Sequence, residues 1–139
     1  MKIEKLVIAT GNLKKLKEFE RLLAPLGIEV VAQSEFNVPE APEPHCTFIE
    51  NALAKARNAA RHTGLPALAD DSGICVHALG GDPGVNSAYY AGPQKSDADN
   101  NAKLIRDLQG VSDRGAHYSA VLALVHAAND PEPIIAEGR

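Results

Sequence analysis

The junction between an apolar run at residues 5–10 (KLVIAT) and the helical pattern that starts at Asn12 constrains the fold more than any other stretch of the chain. Residues 5–10 read as a short buried strand. Beyond Gly11, the residues Leu13, Leu16, Phe19, Leu23 and Leu26 recur at three- and four-residue spacing, the period of one helix face. Pro25 and Gly27 stand where such a helix should stop. Residues 28–33 (IEVVAQ) predict a second strand. The stretch 36–46, FNVPEAPEPHC, carries three prolines and predicts a stiff, extended loop with no helix.

The alternation continues. A helix is predicted from Phe48 to about His62, strands at 66–70 and 73–79, and a tight Gly/Pro loop at 80–84. An irregular stretch at 85–96 precedes a helix from about Asp97 to Leu108 and a long strand at 117–127. Alternation of strands and helices gives an α/β sheet covered by helices. The last segment, residues 133–139 (PIIAEGR), is strand-like and has neither a closing helix nor a polar tail. It reads as the point where a single domain, residues 1–139, is cut short at its C-terminal side.

Composition narrows the function. With 139 residues, 45% of them apolar, the chain suits one domain with a real core. No apolar run reaches the roughly 20 residues needed to cross a bilayer, and the N-terminus lacks a secretory signal's apolar core. A cytoplasmic location with no membrane partner follows as the expectation. A net charge of −4 argues against a general nucleic-acid binder but not against a small anionic ligand. Cys46 and Cys75 fit no close-spaced metal or redox pair, and buried, reduced thiols are expected. The five histidines lack ligand spacing, which speaks against a zinc site.

Three features bear on chemistry. In TGNLKKLKE (10–18), Asn12 is a good N-cap, and Gly11 permits unusual backbone angles. Lys14, Lys15 and Lys17 then stand against the helix macrodipole. A bound phosphate would resolve that conflict, with free N–H groups and lysine charge directed at one anion. A solvated lysine face is the plainer alternative.

The second feature is the helix opening CTFIENALAKARNAARH. Thr47 and Glu50 form a capping box. Asn51, Lys55, Asn58 and His62 form a polar stripe beside the apolar face, a cleft wall or an ordinary amphipathic flank. Glu50, Arg57 and Arg61 are expected on the outward side.

The third is Asp70-Asp71-Ser72-Gly73, placed where a strand is predicted to end. These hard oxygen donors suit Mg²⁺, or equally a solvated turn. Glu40 or Glu43 on the proline loop offers a further carboxylate.

Taken together, TGNLKK, TFIENALAKARNAA and ALADDSGICV…LGGDPGVNSAYYAG resemble the inosine triphosphate pyrophosphatase family, also called dITP/XTP pyrophosphatases. The resemblance implies a long mixed β-sheet flanked by helices, with two lobes and a central cleft, in a homodimer. It implies Mg²⁺-dependent hydrolysis of ITP, dITP and XTP to the monophosphate and pyrophosphate, which clears deaminated, non-standard purines from the nucleotide pool. Carried over by position, Thr10, Gly11, Asn12, Leu13, Lys14 and Lys15 match the phosphate-binding motif and Lys55 the triphosphate-binding helix lysine. Asp71 matches the proton acceptor and metal ligand, and Ser72 a substrate contact. Glu43 is the second metal carboxylate on this reading.

Two positions depart from the family pattern. Ser87-Ala88-Tyr89-Tyr90 replaces Ser-Ala-Arg-Tyr, and the Phe-Gly-Tyr-Asp and Ser-His-Arg motifs associated with base recognition do not occur in these 139 residues. The alternative expectation is therefore a nucleotide- or phosphate-binding relative without catalysis.

Overall fold

The structure is a computed structural model that describes residues 2–139. The chain forms a mixed five-stranded sheet in the order β2-β1-β3-β4-β5. The strands are β1 (Lys5–Ile8), β2 (Glu29–Ala32), β3 (Ala67–Val76), β4 (Ala116–Val125) and β5 (Ile134–Gly138). Three α-helices, α1 (Leu13–Leu23), α2 (Phe48–Thr63) and α3 (Asp97–Asp107), complete the regular structure, with short 3₁₀ turns between. Two compact units share these elements: Met1–Asp70 with Val121–Ala136, and Asp71–Ala120 with Glu137–Arg139.

The first unit is organised by β1, which is buried on both faces: Leu6, Val7 and Ile8 are at most 1% exposed. It pairs in parallel with β2 (Lys5↔Glu29 to Ile8↔Ala32) and with β3 (Val7↔Ala67, Ile8↔Leu68). Strand side chains alternate between faces, and the core divides accordingly. Val7, Ala9, Ala67, Ala69 and Val125 pack on Ala56, Ala59 and Ala60 of α2. Leu6, Ile8 and Leu68 pack instead with Leu16, Phe19 and Leu23 of α1 and with Leu122 and Leu124 of β4. The alanine-lined face lets α2 approach closely; the larger side chains fill the wider gap under α1.

Both helix starts follow the sequence. Asn12 caps α1, and Thr47 Oγ1 accepts from the Glu50 N–H at 3.1 Å to cap α2. Past Leu23 the chain tightens into a 3₁₀ turn, Ala24–Leu26, which Gly27 ends in the left-handed region (φ 73°). Arg57, expected on the outward side of α2, instead donates Nη1 to the carbonyls of Ala128 (2.9 Å) and Asp130 (3.0 Å). Its planar, multiply donating head suits a turn with two carbonyls to satisfy. Asp130 sits in that turn, and the N–H groups of His126 and Glu132, aided by the His126 ring, hold its carboxyl down at about 2.

In the second unit, Ser96 caps α3 by accepting from the Asp99 N–H. Asn100, 9% exposed, ties α3 to the preceding irregular stretch by accepting from Ala91 N–H and donating to the Ala88 carbonyl. Tyr90 donates its hydroxyl to Asp107, which pushes the phenol up to about 12. Both cysteines are free but neither is buried as expected: Cys75 is half-buried, and Cys46, at the end of the proline loop and outside the core clusters, is exposed.

Two outcomes test this packing. Ala59→Leu should overfill the α2–sheet contact and lower stability by about 1–3 kcal/mol in urea unfolding. Because the folded Asp130 pKa lies below its ordinary value of 3.8, the stabilisation it provides is complete above about pH 4. That stabilisation is lost as pH falls through about 2. Asp130→Asn should remove that portion of the acid transition in pH-dependent unfolding.

Candidate active site

The candidate residues occupy three places, the first being the turn from β1 into α1. Asn12 keeps an extended backbone (φ −92°, ψ 110°), and its Oδ1 accepts from Lys14 N–H at 2.9 Å and Lys15 N–H at 3.4 Å. The Asn12 N–H donates to Thr10 Oγ1 at 3.1 Å. The expectation of free N–H groups facing an anion is therefore not met at Asn12, Lys14 and Lys15, whose donors are engaged within the turn. The first turn of α1 holds no acidic residue. Lysine charge and the positive helix end therefore remain as the attraction for an anion. Leu13 and Lys14 are exposed.

Lys15 is held rather than solvated. Its Nζ lies 2.6 Å from Asp70 Oδ2, with the lysine side chain 38% and the aspartate 13% exposed. Asp70 stands two residues past Leu68, the partner of Ile8, so it flanks the point where β1 gives way to α1. From β1 the chain moves outward to β2, and from β3 it continues the other way to β4. The carboxyl end of β1 thus lies beside the first residues of β3, at the point where the chain direction through the sheet reverses. The sequence gives no sign of this pair: it places Asp70 and Asp71 together at a predicted strand end, as a metal site or a turn. β3 in fact runs unbroken from Ala67 to Val76, through both aspartates. Neighbouring strand positions project to opposite faces, so the two carboxylates are separated by the pleat.

The second place is the polar stripe of α2. Asn51 is 1% exposed, accepting from His45 N–H at 3.1 Å and donating to the His45 carbonyl at 3.3 Å. Asn58 donates to the Pro39 carbonyl at 2.8 Å. Between those anchors Lys55 Nζ meets Glu43 Oε1 at 3.1 Å, with side chains 22% and 29% exposed. The stripe is thus the seat of the proline loop. A strap with three prolines lacks N–H groups for a sheet ladder. Its polar backbone is satisfied by side-chain amides instead. The i, i+4, i+7 spacing was legible in the sequence, but the identity of the partner was not.

The third place lies in the second unit. Asp71 is half-buried with Oδ2 shielded from solvent, and Ser72 Oγ lies 3.1 Å from the Tyr118 hydroxyl. Ser87 bridges Ile74 N–H and the Gly84 carbonyl. At Tyr89, where the family pattern has arginine, Lys95 Nζ sits 4.9 Å from the ring centroid, so a cation still lies beside that position.

Carboxylates are the hard donors by which Mg²⁺ is commonly held, one or two at a time with water and phosphate oxygens filling the remaining sites. Among the described residues no three His, Cys, Asp or Glu side chains gather into an all-protein cage. Glu43 Oε1 is paired with Lys55 Nζ, and Asp71 Oδ2 is shielded from solvent.

Fold and site together define a mixed-sheet α/β protein whose candidate anion seat is a capped, lysine-bearing helix start at the carboxyl end of β1. The Ham1 family model matches residues 6–139, and the chain belongs to that family. It is 63% identical to the dITP/XTP pyrophosphatase of Ralstonia nicotianae, covering 98% of this chain and 69% of that protein. It is also 63% identical to the dITP/XTP pyrophosphatase of Bordetella pertussis, over 98% of this chain and 65% of that one. The chain therefore spans about two thirds of the length of these curated relatives. A HAM1 protein from Coxiella burnetii superposes with a TM-score of 0.93 at 46% identity, covering 98% of this chain and 70% of that chain. The Staphylococcus aureus Ham1 protein gives 0.86 at 36% identity, over 96% and 68% of the two chains.

Replacing Asn51 by Leu should remove the partner of the His45 N–H and carbonyl and lower stability by about 1 kcal/mol. Limited proteolysis of residues 39–45 should accelerate in step with the loss seen in urea unfolding.

Proposed function

We propose that the chain hydrolyses deaminated purine nucleoside triphosphates, dITP and XTP among them, to the monophosphate and pyrophosphate. The class, a nucleoside triphosphate pyrophosphatase, rests on the family and on relatives that carry this name at 63% identity. The structural observation that carries the reading is the Asn12-capped turn with Lys15 held by Asp70 of β3, beside the carboxyl end of β1. It gives a polyanion a fixed cation beside a helix N-terminus, and no nucleic-acid-sized basic face is involved.

On this reading Thr10 to Lys15 and Lys55 receive the triphosphate, and Ser72 contacts the substrate. Asp71 takes the proton of the attacking water. That water adds to the α-phosphorus as the bond to the β-phosphate oxygen breaks, so one water is consumed and pyrophosphate departs. Asp71 and Glu43 would hold Mg²⁺, which when bound neutralises phosphate charge. The protein's own contribution is positioning and electrostatics, the usual means of phosphoryl transfer. Among the described residues no helix is long and apolar enough to cross a membrane. A cytoplasmic homodimer is the setting proposed with this activity, supported by the family resemblance.

Pyrophosphate release from dITP, XTP and dATP with Mg²⁺ tests the proposal. Asp71→Asn should lower release by about 10²–10⁴-fold, the range a general base contributes, with thermal unfolding unchanged. Release that favours dITP and XTP over dATP supports deaminated-base selection. Binding of dITP that stabilises the protein without turnover would establish the non-catalytic alternative instead.

A further inference from the structure

We infer that Asp70 is a positioning residue for Lys15, fixing its ammonium at the α1 start before a polyphosphate arrives. The inference rests on the phosphate-binding reading of residues 10–15 and assigns a role to a side chain that this reading leaves unused. Three observations carry it. The Lys15 Nζ–Asp70 Oδ2 separation of 2.6 Å is that of a strong, charge-assisted hydrogen bond. The pair spans 55 residues, so it is made by the fold and not by local chain geometry. Its burial is asymmetric: Asp70 is 13% exposed while Lys15 keeps 38%.

That asymmetry fits a support and the group it supports. A lysine carries three donors on a flexible four-carbon stem, and the rotamer freedom it loses on fixing a ligand weakens binding. Asp70 accepts from one of the three donors, and the lysine side chain stays 38% exposed. The ordering cost is then met on folding rather than on binding. A carboxylate so close also repels an incoming anion. Asp70 is the more buried of the two, and the Asp70→Ala measurement decides which effect is larger. β1 and β3 are hydrogen-bonded neighbours, so the support is as rigid as the sheet.

The test is a double-mutant cycle with inorganic tripolyphosphate as the probe, read by calorimetry in metal-free buffer. Asp70→Ala should weaken tripolyphosphate binding about two- to tenfold, the worth of one pre-ordered long side chain. Lys15→Ala should weaken it further, and adding Asp70→Ala to Lys15→Ala should change nothing more. Asp70→Asn keeps the acceptor oxygen and the side-chain shape, so it should fold normally and fall between wild type and Asp70→Ala. In dITP turnover with Mg²⁺, Asp70→Ala should raise KM with kcat nearly unchanged.

Tighter tripolyphosphate binding in Asp70→Ala, or an equal loss in the Lys15→Ala background, overturns the inference. So does wild-type protein that fails to bind tripolyphosphate. A normal cycle in a protein that does not hydrolyse dITP would sink the proposed activity and leave the positioning role standing. A fall in kcat with KM unchanged would do the reverse.

Discussion

The candidate anion seat depends on a strand with no exposed face. β1 presents Leu6 and Ile8 to one helix and Val7 and Ala9 to another, so its direction and register admit little adjustment. A one-residue slip would exchange the two sets and put Leu6 and Ile8 where the α2 face takes the smaller Val7 and Ala9. Because β1 cannot shift, neither can the turn that follows it. Thr10, Asn12 and the first residues of α1 inherit their placement from the burial behind them. The chemistry at the end of β1 is therefore only as well placed as the packing along it.

The same logic explains why two ion pairs, both joining charged groups of the candidate site, are made across the fold. Lys15 meets Asp70, and Lys55 meets Glu43. Exposed ion pairs contribute little to stability. These are half-buried, and each sits on a support made for other reasons: the β1–β3 pairing for one and the amide-anchored strap for the other. Their value lies in orientation. A cation whose geometry is settled before a polyanion binds loses less freedom on binding. The relatives' shared name and the intact lysine motif agree with such a site.

Much of this was legible from residue order. The strand at residues 5–8, the capped starts of α1 and α2, the proline loop and the long strand near residue 120 all announce themselves through spacing, caps and breakers. The strand end expected at Asp70-Asp71-Ser72-Gly73, and with it the alternative of a turn there, did not form. Turn-forming residues lose to the ladder when apolar runs on both sides hold one strand in register, here Ala67–Ala69 and Ile74–Val76. The outward placement of Arg57 failed for a related reason. Helical spacing says which residues share a face but cannot say that a later turn, at 128–130, brings carbonyls to that face.

By itself the sequence determined the α/β class, the positions of the helix starts and the family, since periodicity, capping residues and contiguous motifs are local properties of the chain. Tertiary structure decided which charges meet. Asp70 and Lys15 are 55 residues apart and come together only through the parallel pairing of β1 with β3. Asn51 and Asn58 find backbone partners only because the strap folds back over α2. Local pattern encodes what each segment is; long-range packing alone brings one segment's charge to another's.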